Sequence, residues 1–363
     1  MTTGERQSPQ ELDTQRAEAF AGQIVGHLNG AMIALGLSAA SRTGLFDTMA
    51  ELPASTSDAI ATRAGLQERY VRELLNQMVV AGIVDYDRGA RTYRLPPEHA
   101  ASLTSAAGPD NLAALAQLVP TLGGVHEELL DCFRNGGGVP YSSYPTFASM
   151  MRAQSALQFD HSLVSTQVPL VPGIEQRLEA GIDVADLGCG AGHAINLMAR
   201  QWPNSRFTGH DFSEEAIGYA REEARDWALQ NATFEVTDLP RMQGSNLYDL
   251  VTTFDAVHDQ ADPAGMLATA YRILRPGGYY LCADIAASSD VANNIDHPMA
   301  PMLYGISLNH CMTVSLAQGG EGLGAVWGQE KAVEMLGNAG FVDIEVRQVE
   351  GDILNNYYVC RKD

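Results

Sequence analysis

The stretch Ile182-Asp-Val-Ala-Asp-Leu-Gly-Cys-Gly-Ala-Gly192 decides the fold of this chain. Its apolar first half is long enough for one buried strand, and glycines then stand at positions 188, 190 and 192. Apolar residues at helical spacing follow at once, from Ala194 to Met198. This order of strand, glycine turn and helix brings backbone N–H groups and a helix N-terminus against a nucleotide-like ligand. Glycine suits such a turn because a Cβ would hold the ligand away and because positive φ is often required.

The spacing of the glycines separates two kinds of nucleotide-binding turn. A dinucleotide turn has the pattern G-x-G-x-x-G, whereas here the third glycine comes one residue early and His193 fills its place. The acid Asp186, two residues before Gly188, is also foreign to a dinucleotide turn. These differences argue against a nicotinamide oxidoreductase. The form D-x-G-x-G-x-G resembles motif I of the class I S-adenosylmethionine methyltransferases. The alternative is a glycine-rich turn that binds no ligand.

Length and composition narrow the class of protein further. A chain of 363 residues suggests two domains, and its net charge of −21 argues against a protein that holds phosphate backbones. The five cysteines are scattered without a C-x-x-C pair, which predicts reduced thiols and a cytoplasmic location. Polar residues interrupt the most apolar window, 28–46, so we expect no membrane span.

Composition and periodicity suggest four regions. A helix over 19–40 is apolar nearly all round, which predicts burial on several sides and a homodimer. The predicted regions are a disordered tail (1–18), a winged-helix and dimerisation domain (19–100), a helical connector with a lid (101–180) and a ligand-binding α/β domain (181–363).

The first domain has the pattern of a winged helix. Two helices, 56–64 and 68–81, are separated by Gly65, and Ser57 or Asp58 is the expected cap of the first. Two short strands of a wing are expected within 83–95. Arg69 and Arg72 of the second helix are offset by acids, whereas a helix that reads DNA normally presents a basic face. We therefore expect no nucleic-acid partner.

A glycine-rich loop divides the connector. Residues 135–145 carry three consecutive glycines and the tyrosines Tyr141 and Tyr144, a composition typical of a mobile lid over a substrate pocket. A plain linker has the same composition and stays open as an alternative.

After the glycine turn, strands and helices alternate, which builds a parallel, doubly wound sheet. Strands are expected at 206–210, 233–236, 248–254 and 279–285, with helices at 213–229 and 263–274 between them. The last two strands, 341–348 and 353–361, are joined by a short turn and are therefore antiparallel. An antiparallel final hairpin on a parallel, Rossmann-like sheet is the trademark of the class I methyltransferase fold.

Ligands of open α/β sheets lie beyond the carboxyl ends of the strands. That rule selects the glycine turn, Asp211, Asp238 and the segment that begins at Phe254. Asp211 ends the second strand, from which a carboxylate can bind both hydroxyls of a ribose, although an acid that only caps the next helix is the alternative.

The resemblance to class I methyltransferases extends beyond motif I. The strand-end acid Asp211, T-D-L at 237–239 and L-R-P-G-G at 274–278 match the order and spacing of that family. Nearly the whole chain after residue 20 is similar to bacterial small-molecule methyltransferases with an N-terminal winged helix, in particular to an actinobacterial group. G-G-G-V-P-Y at 136–141, F-D-x-x-H-D-Q at 254–260 and H-C-M-T-V-S-L-A at 310–317 recur in that group.

The resemblance implies S-adenosyl-L-methionine as cofactor and a small-molecule acceptor. In it, Asp238 corresponds to the acid at the adenine amino group, Leu239 to the residue on the ring face, and Phe212 packs beside the adenosine. The implied cofactor-binding residues are Asp186, Gly188, Gly190, Gly192, Asp211, Phe212, Asp238, Leu239 and Phe254.

His258 is the candidate catalytic base. It resembles the histidine that deprotonates the acceptor hydroxyl in O-methyltransferases, and a histidine pKa suits the task. Gln260 departs from the family, which usually has tryptophan at that place, and a hydrogen-bonded structural histidine is the alternative.

The long insertion 286–327 is expected to shape the acceptor pocket. With the lid and the base, its residues form the predicted substrate-binding set: Tyr141, Tyr144, His258, Met302, Tyr304 and His310. His310 and Cys311, with His258 and Asp259, are the one alternative metal-binding group, but no fixed-spacing metal motif is present and we expect no metal.

Two hypotheses follow. The favoured one is a methyltransferase for a small aromatic or amphipathic acceptor, with oxygen as the favoured atom. The alternative is a transcriptional regulator that senses a ligand with the same fold.

Overall fold

The computed structural model describes residues 12–363, apart from the side chain of Ala148. The chain divides into two compact units, one that ends at Pro120 and one over Thr121–Asp363. The elements of the first are α1 (Thr14–Arg42), α2 (Leu45–Ala50), α3 (Ser57–Ala64), α4 (Glu68–Val80), β1 (Asp85–Asp87), β2 (Thr92–Arg94), α5 (Pro97–Ala100), α6 (Leu112–Leu115) and α7 (Leu118–Gly123), which crosses the division.

The predicted winged helix is present, with corrections at two ends. Helices α3 and α4 are followed by the antiparallel pair β1–β2, the wing. The cap of α3 is Thr56, whose hydroxyl accepts from the Ala59 N–H at 3.3 Å, and not Ser57 or Asp58. Helix α1 begins at Thr14, so residues 14–18 are helical where a tail was predicted, while 1–11 lie outside the described residues. On α4, Arg69 pairs with Glu73 at 2.5 Å and Arg72 with Glu68 at 3.4 Å.

Helix α1 has two different halves. Gly36, in its second half, lies against α4, where a Cβ would come within 2.6 Å of the Met78 methyl carbon, and Gln77 donates to the Met32 carbonyl at 2.9 Å. Every residue from 14 to 30 is exposed, including Phe20, Val25 and Leu28. Among the described helices, α1 is long and apolar enough to cross a membrane by length and composition alone.

The second unit is built on a seven-stranded sheet. Its elements are α8 (His126–Asn135), α9 (Phe147–Ser162), α10 (Ile174–Ala180), β3 (Asp183–Leu187), α11 (His193–Gln201), β4 (Arg206–Asp211), α12 (Glu214–Asp226), β5 (Ala232–Val236), β6 (Tyr248–Phe254), α13 (Pro263–Ile273), β7 (Leu274–Ile285), α14 (Ala300–Ile306), α15 (Met312–Ala317), α16 (Gly328–Ala339), β8 (Val342–Arg347) and β9 (Asn355–Arg361).

The order of the strands is β5-β4-β3-β6-β7-β9-β8, with β9 antiparallel to both of its neighbours. This is the predicted class I fold. Helices α10, α11 and α12 contribute to the apolar core on one face of the sheet, and α13 and α16 to the core on the other. Ser213 caps α12 as predicted, because its hydroxyl accepts from the Ala216 N–H at 3.2 Å.

The glycines of the turn after β3 serve two purposes. All three have positive φ: +72° at Gly188, +53° at Gly190 and +72° at Gly192. A Cβ at Gly192 would lie 2.5 Å from the Ala220 Cβ and from the Phe234 ring, and one at Gly188 would lie 2.7 Å from the Ala256 Cβ. A Cβ at Gly190 would have no described atom within 4 Å. Two glycines therefore permit close packing, and the middle one leaves the space above the turn open.

Replacement of Gly192 by alanine should destabilise the second unit. Strain at positive φ together with the two contacts should cost about 2–4 kcal/mol. Thermal unfolding followed by circular dichroism will measure the loss. Gly218→Ala is the control, because Gly218 lies in α12 with open space around it, so alanine there should be neutral or stabilise by about 0.5–1 kcal/mol. Equal melting temperatures for Gly192→Ala and the wild type would contradict this account of the turn.

Candidate active site

The Asp211 carboxylate holds the glycine turn in place. One oxygen accepts from the Gly190 N–H at 2.9 Å and the other from the Ser213 N–H at 2.8 Å. Asp211 is only 7% exposed, and burial raises the pKa of its carboxyl despite these backbone donors. Each carboxylate oxygen can accept a further hydrogen bond. The site therefore presents two acceptors on one acid next to the open space above Gly190, a cradle that fits the two hydroxyls of a ribose.

Asp186 lies beneath the same turn. Its carboxylate accepts from the Thr252 hydroxyl at 2.7 Å, which links β3 to β6. Burial, together with the charge of Asp211, raises the pKa of Asp186 to about 7. This arrangement supports the turn from below, and a direct cofactor contact by Asp186 stays a prediction.

The other predicted cofactor residues are distributed around this edge of the sheet. The Phe212 side chain is 56% exposed and meets the Tyr141 ring edge-on at 6.3 Å. Asp238 is exposed and pairs with Arg241 at 3.5 Å, whereas Leu239 packs in the core. The Phe254 ring lies against Phe159 of α9, with centroids 5.1 Å apart. Their contacts with a cofactor remain predictions.

The candidate base His258 is held by a carboxylate that the sequence patterns did not predict. Its Nδ1 lies 2.7 Å from a carboxylate oxygen of Asp284, the penultimate residue of β7, and the Trp327 indole N–H donates to the same oxygen at 2.9 Å. All three side chains are buried. The signal that could have identified Asp284 was its position near the carboxyl end of a predicted strand.

The Asp284 partner controls the protonation of His258. Burial disfavours the imidazolium, but the Asp284 carboxylate and the nearby Cys311 side chain together outweigh burial and raise the pKa of His258 well above its ordinary value. With Nδ1 engaged by Asp284, Nε2 is the nitrogen left to take a proton from a ligand, and Cys311 lies within hydrogen-bonding range of the imidazole. Asp259, next in the chain, has its pKa raised to about 6 by burial. Asp255 has φ +50° and accepts two hydrogen bonds from Asn355 at 3.0 Å.

The glycine-rich loop packs against the insertion 286–327. A Cβ at Gly138 would lie 1.9 Å from the Thr313 carbonyl oxygen, and the Val139 N–H donates to the Thr313 hydroxyl at 2.8 Å. The Tyr144 hydroxyl donates to the Asn309 carbonyl at 2.5 Å. We call residues 136–147 the strap. The motifs G-G-G-V-P-Y and H-C-M-T-V-S-L-A, far apart in sequence, thus form one packed structure.

His310 lies in a π-helical turn, Ser307–Cys311, closed by the hydrogen bond from the Met312 N–H to the Ser307 carbonyl. Three aromatic rings of the strap surround its imidazole. Phe147 stacks on it at 3.7 Å between centroids, Tyr144 lies at 4.8 Å and Tyr141 at 5.7 Å. The predicted grouping of Tyr141, Tyr144 and His310 is therefore present, and Phe147 joins it.

Tyr304 and Met302, two residues of the predicted substrate-binding set, have other surroundings than His310. The Tyr304 hydroxyl accepts from Asn294 at 3.1 Å, and its ring lines a surface cavity of about 720 Å³ with Asp290, Val291 and Glu330 among others. Met302 is half-buried. Their role at an acceptor stays a prediction. Within residues 12–363, no group of three or more His, Cys, Asp or Glu side chains is arranged to hold a metal ion.

Two family models match separate parts of the chain. Residues 31–105 match the family described as Rv2258c-like winged HTH domain, and residues 178–340 match the family described as Methyltransferase domain. The chain therefore combines a winged helix-turn-helix domain with a methyltransferase domain, which confirms the predicted pairing.

Individual relatives are more distant. The ubiquinone/menaquinone biosynthesis C-methyltransferase of Desulfotalea psychrophila is 32% identical over 128 residues, 34% of this chain and 50% of that protein. The chain thus spans about half the length of this relative.

Solved structures match over nearly the whole chain. Human N-acetylserotonin methyltransferase in complex with SAM has a TM-score of 0.67 at 20% identity, covering 98% of this chain and 99% of that one. The mitomycin 7-O-methyltransferase MmcR has a TM-score of 0.70 at 17% identity, covering 96% and 99%. At these identities the likeness shows the fold.

Removal of the Asp284 charge should lower the pKa of His258. In Asp284→Asn, burial remains while the largest cause that raises the pKa is lost, so the His258 pKa should fall relative to that of the wild type. Titration of the histidine side chains by ¹H–¹⁵N NMR measures this. Asp343→Asn, an exposed carboxylate on β8, should leave His258 unchanged. A His258 pKa in Asp284→Asn equal to that of the wild type would contradict the assignment of the cause.

Proposed function

We propose that the protein is an S-adenosylmethionine-dependent methyltransferase for a small aromatic or amphipathic acceptor, with oxygen as the favoured methylated atom. The observation that carries the proposal is the cradle of Asp211 and the open turn at Gly190 on the same sheet edge as the His258–Asp284 pair. The matched methyltransferase domain supports it. S-adenosylmethionine, when bound, supplies an activated methyl group on a sulfonium.

The residues of the chain have three tasks in this mechanism. Asp211 and the turn bind the ribose, and the strap rings exclude water from the acceptor side. His258 takes the acceptor proton at Nε2 while Asp284 keeps Nδ1 engaged and stabilises the imidazolium that forms. Because alignment is the main requirement of methyl transfer, binding geometry and this one proton transfer carry the reaction.

Replacement of Asp211 tests whether the cradle binds the cofactor. In Asp211→Asn the charged partner of the ribose hydroxyls is lost, so S-adenosylmethionine should bind at least about tenfold more weakly in calorimetry. Glu215→Gln, an acid at the start of α12, is the matched control and should bind as the wild type does. Wild-type protein that binds NADH but not S-adenosylmethionine would overturn the proposal.

The base is tested once an acceptor library, screened for release of S-adenosylhomocysteine, yields a substrate. His258→Ala should lower kcat by about 10²–10⁴-fold and leave cofactor affinity unchanged. His126→Ala, an exposed histidine, is the control.

The pH profile gives a second measure of the same residue. A base acts only when deprotonated, so the wild-type rate should fall as pH drops through the raised pKa of His258 and should level above it. A His258→Ala variant within threefold of wild type between about pH 6 and 9 would remove His258 from the mechanism and leave the methyltransferase proposal standing.

We further propose that the protein is a cytoplasmic homodimer joined through the exposed half of α1. Phe20, Ile24 and Leu28 form an apolar stripe that no described residue covers. A membrane would have to bury Gln23, His27 and Asn29 in the same stretch, which favours a second copy of the chain over a bilayer.

Light scattering tests the dimer. The wild type should have twice the chain mass of 39.0 kDa at micromolar concentration, and Leu28→Glu should have the mass of one chain. Val291→Glu, an equally exposed apolar position in the second unit, should remain dimeric. A wild-type monomer that sediments with phospholipid vesicles would instead indicate that α1 binds membranes.

A further inference from the structure

The imidazole of His310 is a buried polar group without a partner. It is 1% exposed, and among the described residues neither ring nitrogen has a hydrogen-bond partner. Buried polar groups in folded proteins are nearly always paired, and an unpaired one lowers the stability of the fold. The nearest rings, those of Tyr141, Tyr144 and Phe147, contact the imidazole without forming a hydrogen bond to it. Both ring nitrogens are therefore available to hydrogen-bond a ligand. A ligand that supplies the missing partners would account for this cost.

His310 is an uncharged group at physiological pH. Burial, together with the nearby positive charge of protonated His258, lowers the pKa of His310 to about 3. A neutral imidazole offers one N–H donor and one acceptor nitrogen. It therefore suits a polar, uncharged group such as a hydroxyl or a carbonyl, and it does not attract a carboxylate as a cation would.

The segments that carry His310 and His258 are fastened together. The Gly324 N–H donates to the His258 carbonyl at 3.0 Å, and the Ser315 hydroxyl donates to the Gln260 carbonyl at 2.7 Å. The Ala325 N–H donates to the Ser307 hydroxyl, at the start of the π turn, at 3.0 Å. These bonds hold the two segments together. The two imidazoles are close enough to interact electrostatically, and Cys311, the chain neighbour of His310, interacts with His258.

The surroundings of His310 also select the shape of a ligand. The strap rings Tyr141, Tyr144 and Phe147 present flat apolar surfaces, and Tyr141 reaches Phe212, the neighbour of Asp211. Stacking on such surfaces favours a planar ring. The Phe147–His310 stack is already the kind of contact that an aromatic ligand would make.

We propose that His310 binds the acceptor, and that this acceptor is a planar aromatic molecule with two adjacent polar groups, one directed at His258 and the other at His310. The inference rests on the proposed methyltransferase function and narrows its acceptor class. Substrate selection then depends on the second polar group, because an analogue that lacks it leaves His310 unpaired.

Three naphthols provide the test, since they share one ring system and differ only in their hydroxyls. Binding of 2,3-dihydroxynaphthalene, 2,7-dihydroxynaphthalene and 2-naphthol is measured by calorimetry on the full chain saturated with S-adenosylhomocysteine. The wild type should bind the 2,3-isomer at least tenfold more tightly than the other two. In His310→Phe, which keeps a flat ring without nitrogens, this preference should vanish while S-adenosylhomocysteine affinity is unchanged.

Two further variants keep the test decisive. His310→Gln retains one donor and one acceptor and should keep part of the preference, even if His310→Phe folds poorly. His297→Phe makes the same exchange elsewhere in the insertion and should keep all of it. The proposal is overturned if the wild type binds the three naphthols equally or not at all, or if the preference survives in His310→Phe. Failure of S-adenosylhomocysteine itself to bind would instead reject the proposed function on which the inference rests.

Discussion

The buried carboxylate of Asp284 is the constraint on which the candidate active site depends. One of its oxygens accepts from three donors: the His258 imidazole, the Trp327 indole and the Ile285 backbone N–H at 2.8 Å. A charge taken out of water needs such donors, and here they all meet one oxygen while the other has no hydrogen-bond partner among the described residues, so Asp284 fixes the segments that supply them. The loop after β6, the end of β7 and the start of α16 are thereby joined at one point.

The strap and the insertion show a second level of organisation. Gly138 has no room for a side chain because it touches the backbone of α15, and Tyr144 reaches the π turn. Stretches about 170 residues apart in the chain therefore depend on each other for their conformation. The aromatic enclosure of His310 is a product of this dependence, and neither stretch forms it alone.

Local patterns predicted the fold well and the site only in part. Strand β6 spans Tyr248–Phe254 as predicted, and Ser213 caps α12, because periodicity and capping are encoded within a few residues. The glycine turn and Asp211 followed from the rule that ligands bind beyond strand ends. The partner of His258 did not, because Asp284 meets it only through the pairing of β6 with β7. Thr56 was missed as a cap since Thr, Ser and Asp stand in a row and only the backbone geometry selects one.

The π turn at 307–311 is a place where the chain could lose one residue in evolution without losing the helix. A π turn holds one residue more than the α-helical turn it replaces, so deletion of one residue there would restore a regular helix. Because the extra residue is absorbed within the turn, residues on either side of the deletion would keep nearly the same orientation about the helix axis. A lineage could thus exchange the side chain that faces the strap rings in one step, without altering the sheet, the glycine turn or the base. Diversification of relatives would then follow insertions and deletions at this turn as much as substitutions in the pocket.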